Sequence, residues 1–352
     1  MFRASLLFMS VVVPSSAALS QQDSTAVSLD TVIVTVTRAT GRSVLRSPFA
    51  VTIAHPDSSR PGQRHTAVDE TLAMIPGLTS VSRNNPAQDP RLSIRGFGAR
   101  SAFGVRGVRV LRDGMPLTLP DGQTPLDYLS LESVGRIEVM RGAASALYGN
   151  ASGGVIDIRS AAPSAGPLSI EARQWIGPHR SFRSAVVASG SRQSAYYLAD
   201  FARTRSDGER AHSGHRATTG FLRSGLSAGG ISYAITALAL HNPLAQNPGA
   251  LTLAEMQANS AMADAVSVRR NARKAVKQVQ AGISATREIA GGDITLSGFR
   301  GARSLDNPLT FGIVEIGRHT HGAAGILHRS SQILGATHRI VAGAEIQSQN
   351  DL

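Results

Sequence analysis

The sequence predicts a small α+β domain followed by an antiparallel β-sheet of the kind that forms the wall of a membrane β-barrel. Three observations support this fold class. A Gly- and Ala-rich stretch at residues 136–159 joins two short apolar runs, nine segments of alternating polarity follow residue 163, and their connections alternate in length. Alternating polarity indicates strands, and short turns at one end with long loops at the other are typical of outer-membrane barrels.

The first 20 residues have the features of a secretory signal peptide. Arg3 precedes an apolar core at residues 6–13, and Pro14 and a run of small residues up to Ser20 follow it. This order is typical of an exported protein. Because the apolar core is too short to span a bilayer as a helix, we expect cleavage after Ser20.

The basic composition does not by itself indicate a nucleic-acid partner. The 352 residues carry a net charge of +12, and Lys274 and Lys277 are the only lysines. Nucleic-acid-binding proteins concentrate their charge in one patch or helix, whereas arginine is spread over this whole chain. We therefore expect no nucleic-acid partner. Cysteine is absent, which excludes disulfide bonds and thiolate metal sites.

Within the first domain, the pattern predicts one short helix and several strands. Residues 66–75 place Asp69 and Glu70 in a first helical turn, and Pro76 and Gly77 end the helix. Strands are predicted at residues 92–98 and 108–116, and at 137–139 and 155–158 on either side of a turn of small residues.

Four groups of motifs in this domain occur in the order found in plug domains. They are Ile-Pro-Gly-Leu at 75–78, Ile-Arg-Gly-Phe at 94–97, Asp-Gly-Met-Pro at 113–116, and the run 136–158 with Arg-Ile-Glu-Val-Met-Arg-Gly, Ser-Ala-Leu-Tyr-Gly and Gly-Gly-Val-Ile-Asp-Ile. The chain thereby resembles the TonB-dependent outer-membrane receptors, in which a plug domain fills a barrel. Further likeness at residues 98–107, 120–123 and 242–277 indicates the subgroup that includes ferric citrate and pyrroloquinoline quinone receptors.

The resemblance implies four regions. Residues 1–20 form the signal peptide, residues 21–42 an N-terminal tail with a TonB box, residues 43–160 the plug domain, and residues 163–352 the N-terminal part of a transmembrane β-barrel.

A β-branched run in the tail has no adjacent segment to pair with, which favours addition onto the sheet edge of another protein. It resembles the family's TonB box and implies a partner, the periplasmic C-terminal domain of TonB. A first strand of the plug is the alternative interpretation. The predicted TonB box comprises Asp30, Thr31, Val32, Ile33, Val34, Thr35, Val36, Thr37 and Arg38.

Nine strands are predicted after the plug, at residues 168–176, 181–191, 195–203, 218–228, 231–241, 274–287, 293–303, 322–329 and 335–346. In the sixth, Val279 and Ile283 share one face and Gln278 and Gln280 the other, which fits apolar side chains towards lipid. A soluble sandwich would show the same alternation. The connections favour the barrel, because long loops are predicted at 204–217, 242–273 and 304–321 and short turns at the other end. Thr252 and Glu255 predict a capped helix in the second loop.

Receptors of this family close twenty-two strands around the plug. Residues 163–352 provide about nine, at roughly twenty residues per strand and connection. The chain is therefore expected to be truncated and to contain an open sheet with two unpaired edges.

The resemblance implies an energy-coupled importer in the cell outer membrane, surrounded by outer-membrane lipid. A scarce cargo, such as a ferric siderophore, ferric citrate or a quinone cofactor, would bind the outer loops and the plug apex, and TonB would displace part of the plug. Arg100, Arg106 and Gln123 are the candidate cargo-binding residues, because guanidinium and amide groups suit carboxylate-rich cargo. Each could equally be ion-paired or solvated. A ligand-sensing receptor and a non-transporting fragment are the alternative functions.

No catalytic motif is complete, so we expect no enzyme activity, no cofactor and no resident metal. Gly96-Phe97-Gly98 lacks the third glycine of the dinucleotide fingerprint. His319 and His321 are predicted to be solvated at a loop or strand end rather than to bind a metal.

Overall fold

The computed structural model describes residues 33–36, 38, 42–43, 47–56, 68–73, 75–81, 85–101 and 104–352. The predicted signal peptide, residues 1–20, lies outside the described residues. So do four residues of the predicted TonB box, Asp30, Thr31, Val32 and Thr37.

The first domain is built on a five-stranded mixed sheet. In chain order, the helices and strands of the whole domain are β1 (Ile33–Val34), β2 (Arg42–Ser43), β3 (Ala50–Ala54), α1 (Asp69–Leu72), β4 (Leu78–Val81), β5 (Arg91–Ile94), β6 (Val105–Arg106), β7 (Val108–Arg112), β8 (Met115–Pro116), β9 (Gln123–Thr124), β10 (Val134–Arg141), α2 (Ser145–Tyr148) and β11 (Gly154–Ser160). The sheet order is β3-β10-β11-β7-β8, in which β11 and β7 are parallel and the other neighbours antiparallel. The α+β class predicted for this domain is confirmed.

The helix predicted at residues 66–75 is shorter than expected. Residues 66 and 67 are outside the described residues, and α1 spans a single turn. The backbone then closes into tight turns, because Ile75 N–H donates to Leu72 O and Leu78 N–H to Ile75 O. The helix therefore ends at Leu72, before the predicted end at Ile75, and Pro76 and Gly77 lie in the turns that follow.

The two faces of the five-stranded sheet pack against different partners. Ile137 and Ile156 lie in the larger core cluster, together with side chains from the sheet that follows, such as Leu238. Met140 and Val155 alternate with them and lie in a second cluster with Val36 from the N-terminal segment. Alternation along a strand sends successive side chains to opposite faces, so the sheet separates the N-terminal segment from the second sheet.

Two adjacent glycines join β10 and β11 where no side chain fits. A Cβ on Gly153 would lie 2.4 Å from Cβ of Phe97. Gly154 has a φ of +142°, and a Cβ on it would lie 2.2 Å from the carbonyl oxygen of Met140. Gly is the residue that tolerates both close approach and this φ. The close approach of Phe97 to Gly153 and of Met140 O to Gly154 therefore requires glycine at both positions.

The second sheet has nine antiparallel strands in sequence order. They are β12 (Ser169–Gly177), β13 (Ser181–Arg192), β14 (Ala195–Ser206), β15 (His215–Ala228), β16 (Ile231–Gln246), β17 (Arg273–Ile289), β18 (Gly292–Pro308), β19 (Ile313–Ile333) and β20 (Ala336–Asp351), with α3 (Leu253–Ala258) and α4 (Ala265–Arg269) between β16 and β17. Strands β12 and β20 each pair with one neighbour, so the sheet is open. No helix in the described part of the chain is long and apolar enough to cross a membrane.

All nine predicted strands are present, but they extend further towards the long connections than predicted. The loop predicted at 304–321 is wrong, because pairing continues to Pro308 and Ile313 and leaves a turn at 309–312. Asp306 and Pro308 are of residue types common in turns, yet Asp306 bonds to Arg273 of β17 at 2.8 Å and Pro308 lies at the strand end, where its missing N–H is tolerated. The other two loops shorten to 207–214 and 247–272.

The predicted cap in the longest connection is confirmed. Thr252 is the N-cap of α3, where its hydroxyl accepts from the N–H of Glu255 and its own N–H donates to the Glu255 carboxylate. This reciprocal pair satisfies two backbone donors at the helix start.

Candidate functional site

A buried carboxylate of the plug holds the N-terminal segment. Glu138 of β10 is fully buried, and its Oε2 accepts hydrogen bonds of 2.8 Å from the backbone N–H groups of both Thr35 and Val36. The Thr35 hydroxyl lies 3.1 Å from the same oxygen, and Arg136 Nε donates to Oε1 at 2.8 Å. Hydrogen bonds to a carboxylate are stronger than those between neutral groups, so this one side chain fixes the segment.

Tyr148 of α2 makes the second attachment. Its hydroxyl donates to the backbone carbonyl of Val36 at 2.8 Å, and burial raises the pKa of this hydroxyl. Arg38 lies over the Tyr148 ring at 4.0 Å and donates to Leu147 O at 2.6 Å. The backbone N–H and the backbone carbonyl of Val36 therefore both have hydrogen-bond partners in the plug. We name Thr35, Val36, Arg38, Glu138 and Tyr148 the tail clamp.

The local sequence explains why the clamp forms here. Glu138 and Asp157 are direct cross-strand partners in β10 and β11, on the face away from the larger core cluster. Burial raises the pKa of Asp157, and the Arg159 guanidinium opposes this rise. Buried polar groups need partners, and the N–H groups of the N-terminal segment supply them for Glu138.

One expectation about the segment is wrong. Its β-branched run has a neighbour in the chain, because Ile33 and Val34 of β1 pair with Ser43 and Arg42 of β2. A turn closed by Arg38 N–H to Thr35 O, with Arg38 at a φ of +54°, brings the chain back. Among the described residues, the pairing covers two residues on each side.

A second buried network attaches the plug to the nine-stranded sheet. Asp127 forms ion pairs of 3.1 Å with Arg303 of β18 and 3.4 Å with Lys274 of β17, and Lys274 reaches Asp89 at 2.8 Å. Burial opposes ionisation of Asp127, but Arg303 and then Lys274 outweigh it, so its pKa is lowered. Lys274 is 3% exposed, so the attachment is shielded from solvent.

Further plug acids meet sheet arginines in the same way. Glu132 pairs with Arg173 at 2.9 Å and Arg183 at 3.0 Å, and Asp113 pairs with Arg223 at 3.3 Å. These ion pairs account for part of the arginine content after residue 163, because arginines at inward positions of the sheet neutralise carboxylates of the plug.

The candidate cargo residues are only partly brought together. Arg106 and Gln123 are direct cross-strand partners in β6 and β9, and Arg106 lies 3.9 Å from Asp121 and donates to its backbone carbonyl at 2.8 Å. Arg318 of β19 reaches the same Asp121 at 3.3 Å. Arg100 is exposed and has no such contact among the described residues. No local sequence pattern predicts the pairing of Asp121 with Arg318, because the two residues lie 197 positions apart.

The outward face of the nine-stranded sheet is apolar and uncovered. Val279 and Ile283 are 52% and 55% exposed, whereas Gln280 on the opposite face is buried and donates to Pro116 O of the plug at 2.7 Å. Other exposed residues on the outward face are Ile170, Val186, Phe201, Leu222, Leu226, Tyr233, Ile235, Leu296 and Ile346. Apolar surface of this extent marks an interaction with a membrane or a protein, and the predicted direction of the alternation is confirmed.

Comparison with known proteins relates the first domain to a known family. Residues 43–155 match the family model described as TonB-dependent Receptor Plug Domain. Two relatives named Hemin receptor come from Yersinia enterocolitica, 33% identical over 128 residues, and Yersinia pestis, 35% identical over 130 residues. The matches cover 36% and 37% of this chain and 17% and 18% of those receptors.

Solved structures extend the likeness to the nine-stranded sheet. The ferric citrate transporter FecA in its unliganded form has a TM-score of 0.77 at 20% identity, over 90% of this chain and 50% of that one. The ferric yersiniabactin uptake receptor FyuA from Yersinia pestis has a TM-score of 0.66 at 19% identity, over 88% of this chain and 50% of that one. The chain spans about half the length of these two structures.

The plug-like domain of this chain is held against an antiparallel sheet. Residues 43–155 match the plug domain of TonB-dependent receptors, and the chain shares the fold of such receptors over about half of their length. Members of this family are receptors and transporters, not enzymes.

Proposed function

We propose that this chain belongs to an outer-membrane receptor that imports a scarce solute into the periplasm through coupling to TonB. In this proposal residues 1–20 export the chain, residues 21–42 carry the TonB box, residues 43–160 are the plug, and residues 163–352 form membrane wall. The apolar outward face supports the wall, because lipid-facing positions of such barrels are apolar.

The tail clamp is the observation that carries the proposal. The segment that resembles a TonB box is held by a few directed hydrogen bonds to Glu138 and Tyr148. Within the part of the chain that the structure describes, its own strand pairing joins Ile33 and Val34 to Ser43 and Arg42. Such an attachment is specific but local, so the segment can leave the plug without disrupting the five-stranded sheet. Once released, its backbone groups would be free to add a strand to an edge of TonB.

The cargo is proposed to bind at the plug apex near Arg106 and Gln123. Arg106 shares Asp121 with Arg318, which also binds Asp351 at 2.7 Å. A carboxylate on the cargo would therefore compete with Asp121 for Arg106 and with both Asp121 and Asp351 for Arg318. Arginine suits this role because its planar fork binds carboxylates with two parallel hydrogen bonds. A ferric chelate with carboxylate ligands, or a quinone cofactor that carries carboxylates, has the required chemistry. Arg100, which is exposed and has no ion-paired partner among the described residues, is a further candidate.

Binding of the chain to the purified periplasmic domain of TonB tests the proposal. Val34→Pro removes a backbone donor from the proposed strand and should weaken binding at least about tenfold, the effect of one to two lost backbone hydrogen bonds. Val34→Ala keeps the backbone donor and is the matched control. If the Pro variant bound TonB as well as the Ala variant, the segment would not be the TonB box.

A further inference from the structure

Six basic residues form an unpaired patch on the outward face of the nine-stranded sheet. They are Arg203, His241, Lys277, Arg300, His319 and His321, and all six are exposed. Among the described residues none of their side chains has a hydrogen-bonded or ion-paired partner. The two histidines that were expected at a loop or strand end lie within β19. We name this set the basic patch.

Strand register brings the patch together from five strands. Thr218 of β15 lies between Arg203 of β14 and His241 of β16, and His241 is the direct partner of Lys277 of β17. Four neighbouring strands at spacings of about 4.8 Å place Arg203 and Lys277 roughly 14 Å apart. On the next pair of strands, Arg300 is the direct partner of His321, and His319 lies one outward position further along β19.

The patch lies at the loop end of the apolar outward face. His241 and Lys277 are six residues along their strands from Ile235 and Ile283, about 20 Å at the rise of a β-strand. Arg300 and His321 lie closer to the turn end than Lys277 does. Barrel strands are tilted by about 35–45°, so positions at one membrane depth shift along successive strands in this way.

The carboxylates on this face lie further towards the loop end than the basic patch does. Asp306 is bonded to Arg273 at 2.8 Å, and its cross-strand partner Glu315 lies two outward positions beyond His319 along β19. His241, Lys277, Ser304 and His319 also help to line a depression of about 510 Å³ in the sheet. A hydroxyl, a lysine ammonium and two imidazole rings beside apolar surface match a phosphate attached to a hydrocarbon chain.

We propose that the basic patch binds the phosphate groups of anionic lipid headgroups in the leaflet that surrounds the loop end of the sheet. This inference rests on the proposed function, in which the sheet is membrane wall. The patch faces away from the plug, so it does not belong to the cargo site. It is also wider than a single phosphate, since it extends from β14 to β19, and it suits several headgroups side by side.

Flotation of the purified 352-residue chain with lipid vesicles tests the proposal. Vesicles of phosphatidylcholine alone are compared with vesicles that also contain phosphatidylglycerol. The wild-type chain should partition more strongly into the anionic vesicles, and added salt should reduce this preference. In the triple variant Arg203→Gln, Lys277→Gln, Arg300→Gln, the partition coefficient into anionic vesicles should fall about fivefold per charge removed, or about a hundredfold in total. Its partition coefficient into neutral vesicles should not change.

Two matched variants separate the patch from net charge and from folding. Arg95→Gln, Arg269→Gln, Arg270→Gln removes the same charge from exposed sites off the outward face and should keep the preference. Arg203→Lys, Lys277→Arg, Arg300→Lys keeps the charge of the patch and should keep it too. Equal losses in the patch variant and the first control would overturn the proposal and leave the membrane wall intact. Failure of the wild-type chain to float even with neutral vesicles would overturn the membrane wall and the patch together.

Discussion

The buried carboxylate of Glu138 accepts a 2.8 Å hydrogen bond from the backbone N–H of Val36, 102 residues earlier in the chain. This bond joins two motifs that the sequence presents separately, the β-branched run of the tail and the Arg-Ile-Glu-Val stretch of β10. Ser-Ala-Leu-Tyr-Gly contributes as well, through the bond from Tyr148 to the Val36 carbonyl. The tail clamp thus gives the plug motifs a role in holding the segment proposed to couple to TonB.

Removal of the Glu138 side chain should release the segment. The chain has no cysteine, so Val36→Cys introduces a single thiol at a fully buried position. In the Glu138→Ala background, maleimide should label this thiol at least about ten times faster, because two bonds to a charged acceptor are lost. Glu171→Ala, at an exposed carboxylate, is the control. Equal labelling rates in the two backgrounds would show that Glu138 does not hold the segment.

Asp127 should contribute more to stability than the exposed acids do. Asp127→Asn leaves Lys274 and Arg303 in a buried site without their shared counter-charge, at a cost of about 3 kcal/mol in the free energy of unfolding. Glu171→Gln, which removes an exposed partner of Arg173, should cost less than about 0.5 kcal/mol. Denaturant titration in detergent measures both variants, and similar losses would contradict the importance of burial.

Acid should weaken the attachment of the plug through Asp113 and Asp127. For Asp113 the burial effect is outweighed by Arg112 and Arg223, so the pKa of each carboxyl is lowered in the folded chain. Their contributions are complete above the ordinary pKa of about 3.9 and are lost as the pH falls through the folded value. The stability difference between the wild-type chain and Asp127→Asn should therefore shrink below about pH 4. A constant difference would contradict the ion pairs.

The sequence predicted the architecture more fully than the site. Alternation along residues 168–346 indicated all nine strands, because one face of each is apolar and the other meets the plug, as Val279 and Gln280 illustrate. The plug could be predicted in a similar way, because each of its motifs is a short run that can be recognised within one segment of the sequence. The turn at 309–312 was missed because Asp306 and Pro308 look like loop residues when the partner Arg273 is unknown.

Contacts between distant residues could not be predicted. Lys274 and Asp89 are 185 residues apart, and no pattern within either segment specifies the other. The same holds for Arg318 and Asp121. The β1–β2 pairing was missed although it is local, since Arg42 and Ser43 lack the apolar alternation by which strands are recognised.

Arg106 should bind carboxylate-bearing cargo. Ferric citrate serves as the probe, and Arg106→Gln should weaken its binding about tenfold, the value of one charge-assisted hydrogen bond. Arg192→Gln, at the turn end of β13, removes the same charge far along the strand from the loops and should leave binding unchanged. If ferric citrate bound the wild-type chain and both variants equally, Arg106 would have no part in binding this chelate.

Cysteine cross-linking along the tail tests the central claim most directly. Single cysteines at each position from 30 to 38 are combined with a cysteine on the edge strand of the TonB periplasmic domain, and Leu334→Cys in the fully exposed β19–β20 turn is the control. Addition of a strand predicts disulfide yields that alternate with a period of two residues, rise in the Glu138→Ala background and are absent at position 334. Uniform yields along the tail, or yields no higher than at position 334, would contradict the assignment of this segment as the coupling strand.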